Sequence, residues 1–199
     1  GMAIAEQWLA ARFNRPDFAL IDHMTYALVS DGDLMEGISH EACSLAGHLG
    51  LGKLVALYDD NHITIDGKTD LAFSEDVLKR FEAYGWHTLR AEGQNPVSVN
   101  EALAAAVAET ERPSIIACRT TIGFGSPNRA GTSKAHGEPL GRDEVRLTKE
   151  RLGLPVDVDF YVPDAAREFL GAAAAAGATR MAEWEGLRRR YEAQYPAEA

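Results

Sequence analysis

The chain has 199 residues and a net charge of −10, from 20 basic and 30 acidic residues, and 46% of it is hydrophobic. That size and balance suit one soluble domain with an apolar core, while the acidic surplus argues against a nucleic-acid surface, which needs basic groups to displace counterions. No purely apolar run is long enough to span a membrane; no signal peptide is visible at the N-terminus, so an intracellular, cytoplasmic setting is expected.

Ala3 to Phe13 carries Ile4, Trp8, Leu9 and Phe13 at helical spacing and is broken by Asn14-Arg15-Pro16-Asp17. Tyr26-Ala27-Leu28-Val29 has the look of a buried strand ending at Ser30-Asp31-Gly32-Asp33. A helix follows from about Gly37 to Leu49, closed by Gly50 and Gly52. Leu54 to Tyr58 reads as a second strand, ending at Asp59-Asp60-Asn61. Ser74 is placed to cap a helix bearing Val77, Leu78 and Phe81.

Trp86 to Leu89 is a third strand, Val97 to Glu109 an Ala-rich helix, and Ser114 to Cys118 a fourth strand. Strands alternating with helices at this interval predict an α/β fold: a doubly wound, mainly parallel sheet with helices on both faces. Gly123 to Gly141 is a Gly/Pro/Ser-rich loop longer than most connections, and so a functional candidate. A helix near Arg142 to Leu152, an extended Pro-bounded segment and a terminal helical region complete the chain. Cys43 and Cys118 fall within a helix and a strand and are expected to be reduced packing residues.

Open parallel sheets bind ligands at the carboxyl ends of their strands. Asp31-Gly32 and Asp59-Asp60-Asn61 both sit at such ends, one helix and one strand apart. A right-handed crossover would bring them to the same edge. Asp31 and Asn61 could then share a hard cation, which accepts carboxylate, amide and carbonyl oxygens together with phosphate. Gly32, lacking a side chain, would let its N–H approach a phosphate. Taken alone, an Asp at a strand end reads equally well as a turn or cap residue.

The longer wording is more specific. Ser30-Asp31-Gly32-Asp33-Leu34-Met35-Glu36-Gly37-Ile38-Ser39-His40-Glu41-Ala42 and Tyr58-Asp59-Asp60-Asn61-His62-Ile63-Thr64-Ile65-Asp66-Gly67 closely resemble the transketolase family. So do Arg80-Phe81-Glu82-Ala83-Tyr84-Gly85-Trp86, Thr121-Ile122-Gly123-Phe124-Gly125-Ser126 and His136-Gly137-Glu138-Pro139-Leu140-Gly141. Thiamine-diphosphate enzymes commonly show Gly-Asp-Gly where this chain has Ser30 first, a departure that matters only if that residue must take positive φ.

The resemblance implies that Asp31, the Asn61 side chain and the Ile63 carbonyl bind a divalent cation: Mg²⁺, with Ca²⁺ or Mn²⁺ as alternatives. It implies that Gly32 and His136 contact the diphosphate of thiamine diphosphate and that Ile65 and Ile122 contact its thiazolium ring. Without the resemblance, both isoleucines would be read as core residues. His136 would also meet the substrate near the reacting carbon. Glu36 and Glu41, which as acids in an early helical turn could simply favour the helix N-terminus, would join a carboxylate network facing the partner subunit.

The implied reaction is transfer of a two-carbon ketol unit from a ketose phosphate to an aldose phosphate by a homodimer. The family's cofactor lies between the diphosphate domain of one subunit and the pyrimidine-binding domain of another. By the same resemblance the chain is truncated at its N-terminus, with 1–155 as the diphosphate-binding core and 156–199 as a C-terminal segment of the same domain, and it would be inactive alone. A dihydroxyacetone synthase-like enzyme, the N-terminal subunit of a split transketolase, and a non-catalytic binding or oligomerisation module are the alternatives.

Overall fold

The computed structural model describes residues 1–199. They fall into two compact units, Met24–Val156 and a second formed by Gly1–His23 with Asp157–Ala199. The larger unit is built on four parallel strands, β1 (Thr25–Ser30), β2 (Leu54–Asp60), β3 (His87–Glu92) and β4 (Ser114–Arg119), in the order β1-β2-β4-β3. Ser30 pairs with Asp59, and Asp59 with Cys118. Three strands therefore end level with one another.

The helices of this unit are α2 (Asp31–Met35), α3 (Gly37–His48), α4 (Val77–Ala83), α5 (Pro96–Ala108), α6 (Lys134–Gly137) and α7 (Arg142–Arg151). Alternate strand residues point to opposite faces. On one face Val55, Ala91, Ile116 and Cys118 pack with Ala102 and Ala106 of α5. On the other, Ala117 and Arg90 approach Val77 and Leu78 of α4. The sheet is thus covered on both sides, as an α/β crossover architecture requires. Phe81 of α4 meets Trp86 edge to face with ring centroids 5.0 Å apart, and the Trp86 indole donates to the Cys43 carbonyl at 2.8 Å.

Local chemistry explains the element ends. Asn95 caps α5 by accepting from the Val97 and Ser98 N–H groups, with Pro96 in the first turn. Gly50 takes a left-handed φ of 59° after α3, so the chain reverses without steric cost. Ser74 does not cap α4. The Asp76 carboxylate accepts from Lys79 N–H at 3.3 Å, because Asp76 is the residue directly before the first helical turn. The terminal helical region is one helix, α8 (Asp164–Gln194).

The smaller unit joins α1 (Met2–Phe13) and the turn after it to α8. Phe18 packs edge to face on Tyr191 and Tyr195, and the Trp184 indole donates to the Leu20 carbonyl. The first 23 residues therefore group with 157–199 and not with the sheet. No helix is long and apolar enough to cross a membrane.

Candidate metal and diphosphate site

Asp31 is the residue after β1 and the first of α2, and it is 2% exposed. The Tyr58 hydroxyl donates to its Oδ1, and the His62 N–H donates to its Oδ2 at 3.1 Å. Tyr58 projects from β2 and His62 lies in the turn beyond it, so the register that pairs Ser30 with Asp59 brings the two strand ends together. His62 reaches this position in a left-handed conformation, φ 60°, that aims its N–H at the carboxylate.

Burial raises the Asp31 carboxyl above its ordinary range; the Tyr58 hydrogen bond opposes this, the negative charge of Asp60 adds to it, and the His62 N–H again opposes it. No lysine or arginine forms an ion pair with Asp31. Burial, followed by hydrogen bonding to Asp31, pushes the Tyr58 phenol upward, so it serves only as a donor. A buried carboxylate held by two donors and lacking a cationic side chain is suited to a metal ion.

Asn61 is held on both ends of its amide. Its Nδ2 donates to Asp59 at 3.2 Å, and its Oδ1 accepts from the Ile63 N–H at 2.9 Å with lone-pair capacity remaining. The next turn closes through Thr64 N–H to Gly67 O and Thr69 N–H to His62 O, leaving the Ile63 carbonyl outside these bonds. One carboxylate, one amide oxygen and one carbonyl are therefore available near the meeting point. Three or more His, Cys, Asp or Glu side chains do not converge in metal-binding geometry, so a soft or all-carboxylate site is not what this chain offers. The donors present fit a hard cation completed by phosphate oxygens.

Gly32 differs from the packing glycines. A Cβ there would meet only Ser30 Oγ, at 4.0 Å, whereas at Gly47 or Gly52 it would fall 1.8 Å from a backbone carbonyl. The fold leaves open space at Gly32, room that an approaching anion can use. Ser30 is extended, φ −117°, so the departure from glycine carries no backbone strain. Its N–H and hydroxyl both donate to Asp33 at 2.8 Å, fixing the entry to α2.

Two hollows meet here. Asp31, Tyr58 and Asp60 line one of about 430 Å³. Asn61 and Ile63 line another of about 340 Å³, and His62, Thr69 and Asp70 belong to both. Arg119, at the end of β4, faces the second hollow while paired with Asp60 at 3.5 Å, and supplies a positive charge that sequence reading passed over. Tyr58 was also missed, since in sequence it is one more apolar strand residue.

The remaining candidates lie outside both hollows. Ile65 is 72% exposed, so it is not a core residue. Ile122 is half-buried, and its carbonyl accepts from Gly131 N–H at 2.9 Å. His136 is exposed on α6, a short helical turn inside the glycine-rich loop. Glu36 and Glu41 are exposed at the start of α3, beside the exposed Ile38 and Leu45.

Comparison with known proteins identifies the relatives of the chain. The family model described as transketolase, thiamine diphosphate binding domain, matches residues 1–199. The protein named Transketolase 10 from Craterostigma plantagineum is 51% identical over 201 residues, covering 100% of this chain and 30% of its own length. Transketolase 1 of Escherichia coli K12 is 49% identical over 205 residues with the same coverage. Among solved structures, transketolase from Leishmania mexicana superposes with a TM-score of 0.96 at 41% identity, over 99% of this chain and 30% of the other. A Pichia stipitis transketolase in complex with sedoheptulose 7-phosphate gives 0.95 at 39%, over 98% and 29%. The chain therefore spans about 30% of the length of the curated relatives it matches.

Proposed function

The chain belongs to the transketolase family, and from that premise we propose that it is the diphosphate-binding part of an enzyme that moves a two-carbon ketol unit from a ketose phosphate to an aldose phosphate. The observation that carries the reading is the junction of β1 and β2. There a buried carboxylate without a cationic partner is held by Tyr58 and the His62 N–H, the residue next to Asn61.

Thiamine diphosphate, when bound, supplies the electron sink that makes the ketol unit transferable. The chain's residues bind and orient it. Asp31, the Asn61 amide oxygen and the Ile63 carbonyl hold Mg²⁺, with Ca²⁺ or Mn²⁺ as substitutes, and so bring an anionic cofactor to an acidic protein. The Gly32 N–H takes a diphosphate oxygen in the open space beside Ser30. Ile65, left out of the core, offers an apolar contact to the thiazolium ring, and Ile122 supports it. His136 donates to the diphosphate and to the substrate oxygen beside the reacting carbon.

The pyrimidine end of the cofactor is held by a second subunit, toward which Glu36 and Glu41 face in a homodimer. In this reading the protein serves sugar-phosphate interconversion of the pentose phosphate pathway in the cytoplasm.

Calorimetry tests the clamp. Thiamine diphosphate should bind this chain only with Mg²⁺ present, and Asp31→Ala should abolish that Mg²⁺-dependent binding. Equal binding with and without the metal, or by Asp31→Ala, overturns the reading.

A further inference from the structure

Glu144, in the first turn of α7, is buried at 9% exposure, although an acid there could favour the helix N-terminus while fully solvated. Its carboxylate instead collects three donors from a different segment. Oε1 accepts from the Ser126 hydroxyl and from Asn128 N–H at 2.8 Å, and Oε2 accepts from Asn128 Nδ2 at 2.8 Å. Ser126 is 1% exposed, and its Oγ in turn accepts from Arg129 N–H at 3.2 Å.

From Arg129 the bonds run on to His136. Thr132 donates its hydroxyl to Arg129 O at 2.7 Å, Ala135 N–H donates to Thr132 O at 3.1 Å, and His136 N–H donates to Ser133 O at 2.9 Å. The Arg129 guanidinium pairs with Glu138 at 2.9 Å, closing the far side of the turn. Ala135 also packs on Gly123, where a Cβ would come within 2.9 Å of the Ala135 Cβ. A second contact, from the residue that ends α7, anchors the loop base, since a Cβ at Gly125 would fall 2.8 Å from Leu152. A glycine-rich loop with left-handed residues at 123, 125, 131 and 141 is thereby reduced to one conformation.

We propose that Glu144 is a positioning residue for His136: its carboxylate organises the 126–129 turn, and that turn sets where the histidine stands. The inference rests on the role given to His136 above. Carboxylate-centred networks of this kind concentrate several hydrogen bonds on one charged acceptor, so neutralising the acceptor releases the segment that supplies the donors.

The test combines hydrogen exchange with a double-mutant cycle. In Glu144→Gln, amides of Asn128 to His136 should exchange at least about tenfold faster, while those of Val55 and Ile116 keep their protection. Magnesium–thiamine diphosphate affinity should fall by no more than in His136→Ala, and the double variant should bind no more weakly than His136→Ala alone. Unchanged exchange in the loop overturns the proposal, whatever the cofactor does. So do additive losses in the cycle. If His136→Ala binds as tightly as the parent chain, the role of His136 falls and this inference falls with it, whereas loss of Mg²⁺-dependent binding in Asp31→Ala still upholds the clamp. Should Glu144→Gln not fold, Ser126→Ala removes a donor from the other side and enters the same cycle.

Discussion

A methyl group at Gly47 would lie 1.8 Å from the Tyr84 carbonyl oxygen, while one at Gly32 would meet only Ser30 Oγ at 4.0 Å. The first glycine is required by packing of α3 against the end of α4; the second is required by nothing in the protein. Gly32→Ala should therefore change unfolding free energy by less than about 0.5 kcal/mol yet weaken binding of magnesium pyrophosphate, measured by titration. Gly47→Ala should cost about 1–3 kcal/mol in urea denaturation through overpacking. Tyr58→Phe keeps the ring and removes the donor to Asp31, and by analogy with other groups that orient metal ligands it should lower Mg²⁺ affinity about 10–100-fold. An unchanged Mg²⁺ titration would reduce Tyr58 to a packing residue. The sequence made Asp31 and Asn61 legible because both end strands, but not Tyr58, whose hydroxyl finds its partner 27 residues away.

At the scale of elements, the strands were legible as short apolar runs and the longer helices as stretches lying between Gly, Pro and Asn breaks. The short turn α2 was not, since five residues hold too little periodicity to register. Neither was the strand order β1-β2-β4-β3: the handedness rule constrains each crossover but leaves open which neighbour a strand joins. Arg80 shows the same limit. It looked like part of a family string, yet its guanidinium donates to Leu34 O at 3.2 Å and pairs with Glu75 at 2.7 Å, tying α2 to α4. Glu144 gives no signal in the sequence, and only the folded loop reveals its donors.

That clasp has a pH signature. Hydrogen bonds from Ser126 first, then Asn128, hold the Glu144 carboxyl below the usual carboxylate range. A depressed carboxylate contributes stability that is complete above its unfolded value and is lost as pH falls through the folded one. Loop protection in hydrogen exchange should therefore persist down to the ordinary carboxylate range and collapse below it. In Glu144→Gln the loop should lack that transition.

For the whole molecule, the exposed apolar residues carry the expectation. Ile38 and Leu45 on α3, and Leu49 directly after it, are 69%, 47% and 38% exposed. Sedimentation should show the chain self-associating, and Ile38→Glu with Leu45→Glu should leave it monomeric. Spanning about 30% of the length of its curated relatives, these 199 residues by themselves should give no measurable ketol transfer between xylulose 5-phosphate and ribose 5-phosphate, even with cofactor and Mg²⁺ supplied. Turnover by a preparation free of other enzymes would refute that. The grouping of the first 23 residues with the C-terminal segment was not legible in advance, because the aromatic contacts of Phe18 with Tyr191 and Tyr195 join opposite ends of the sequence.

The proposed ion site at the buried Asp31 carboxylate ties nutrition to durability. An ion bound only by the native form stabilises it by about 2.7 kcal/mol when present at a hundred times its dissociation constant. Chelation should accordingly depress the melting temperature and quicken proteolytic digestion. For the proposed magnesium clamp, scarcity of the ion would therefore shorten the lifetime of the native protein as well as empty the site.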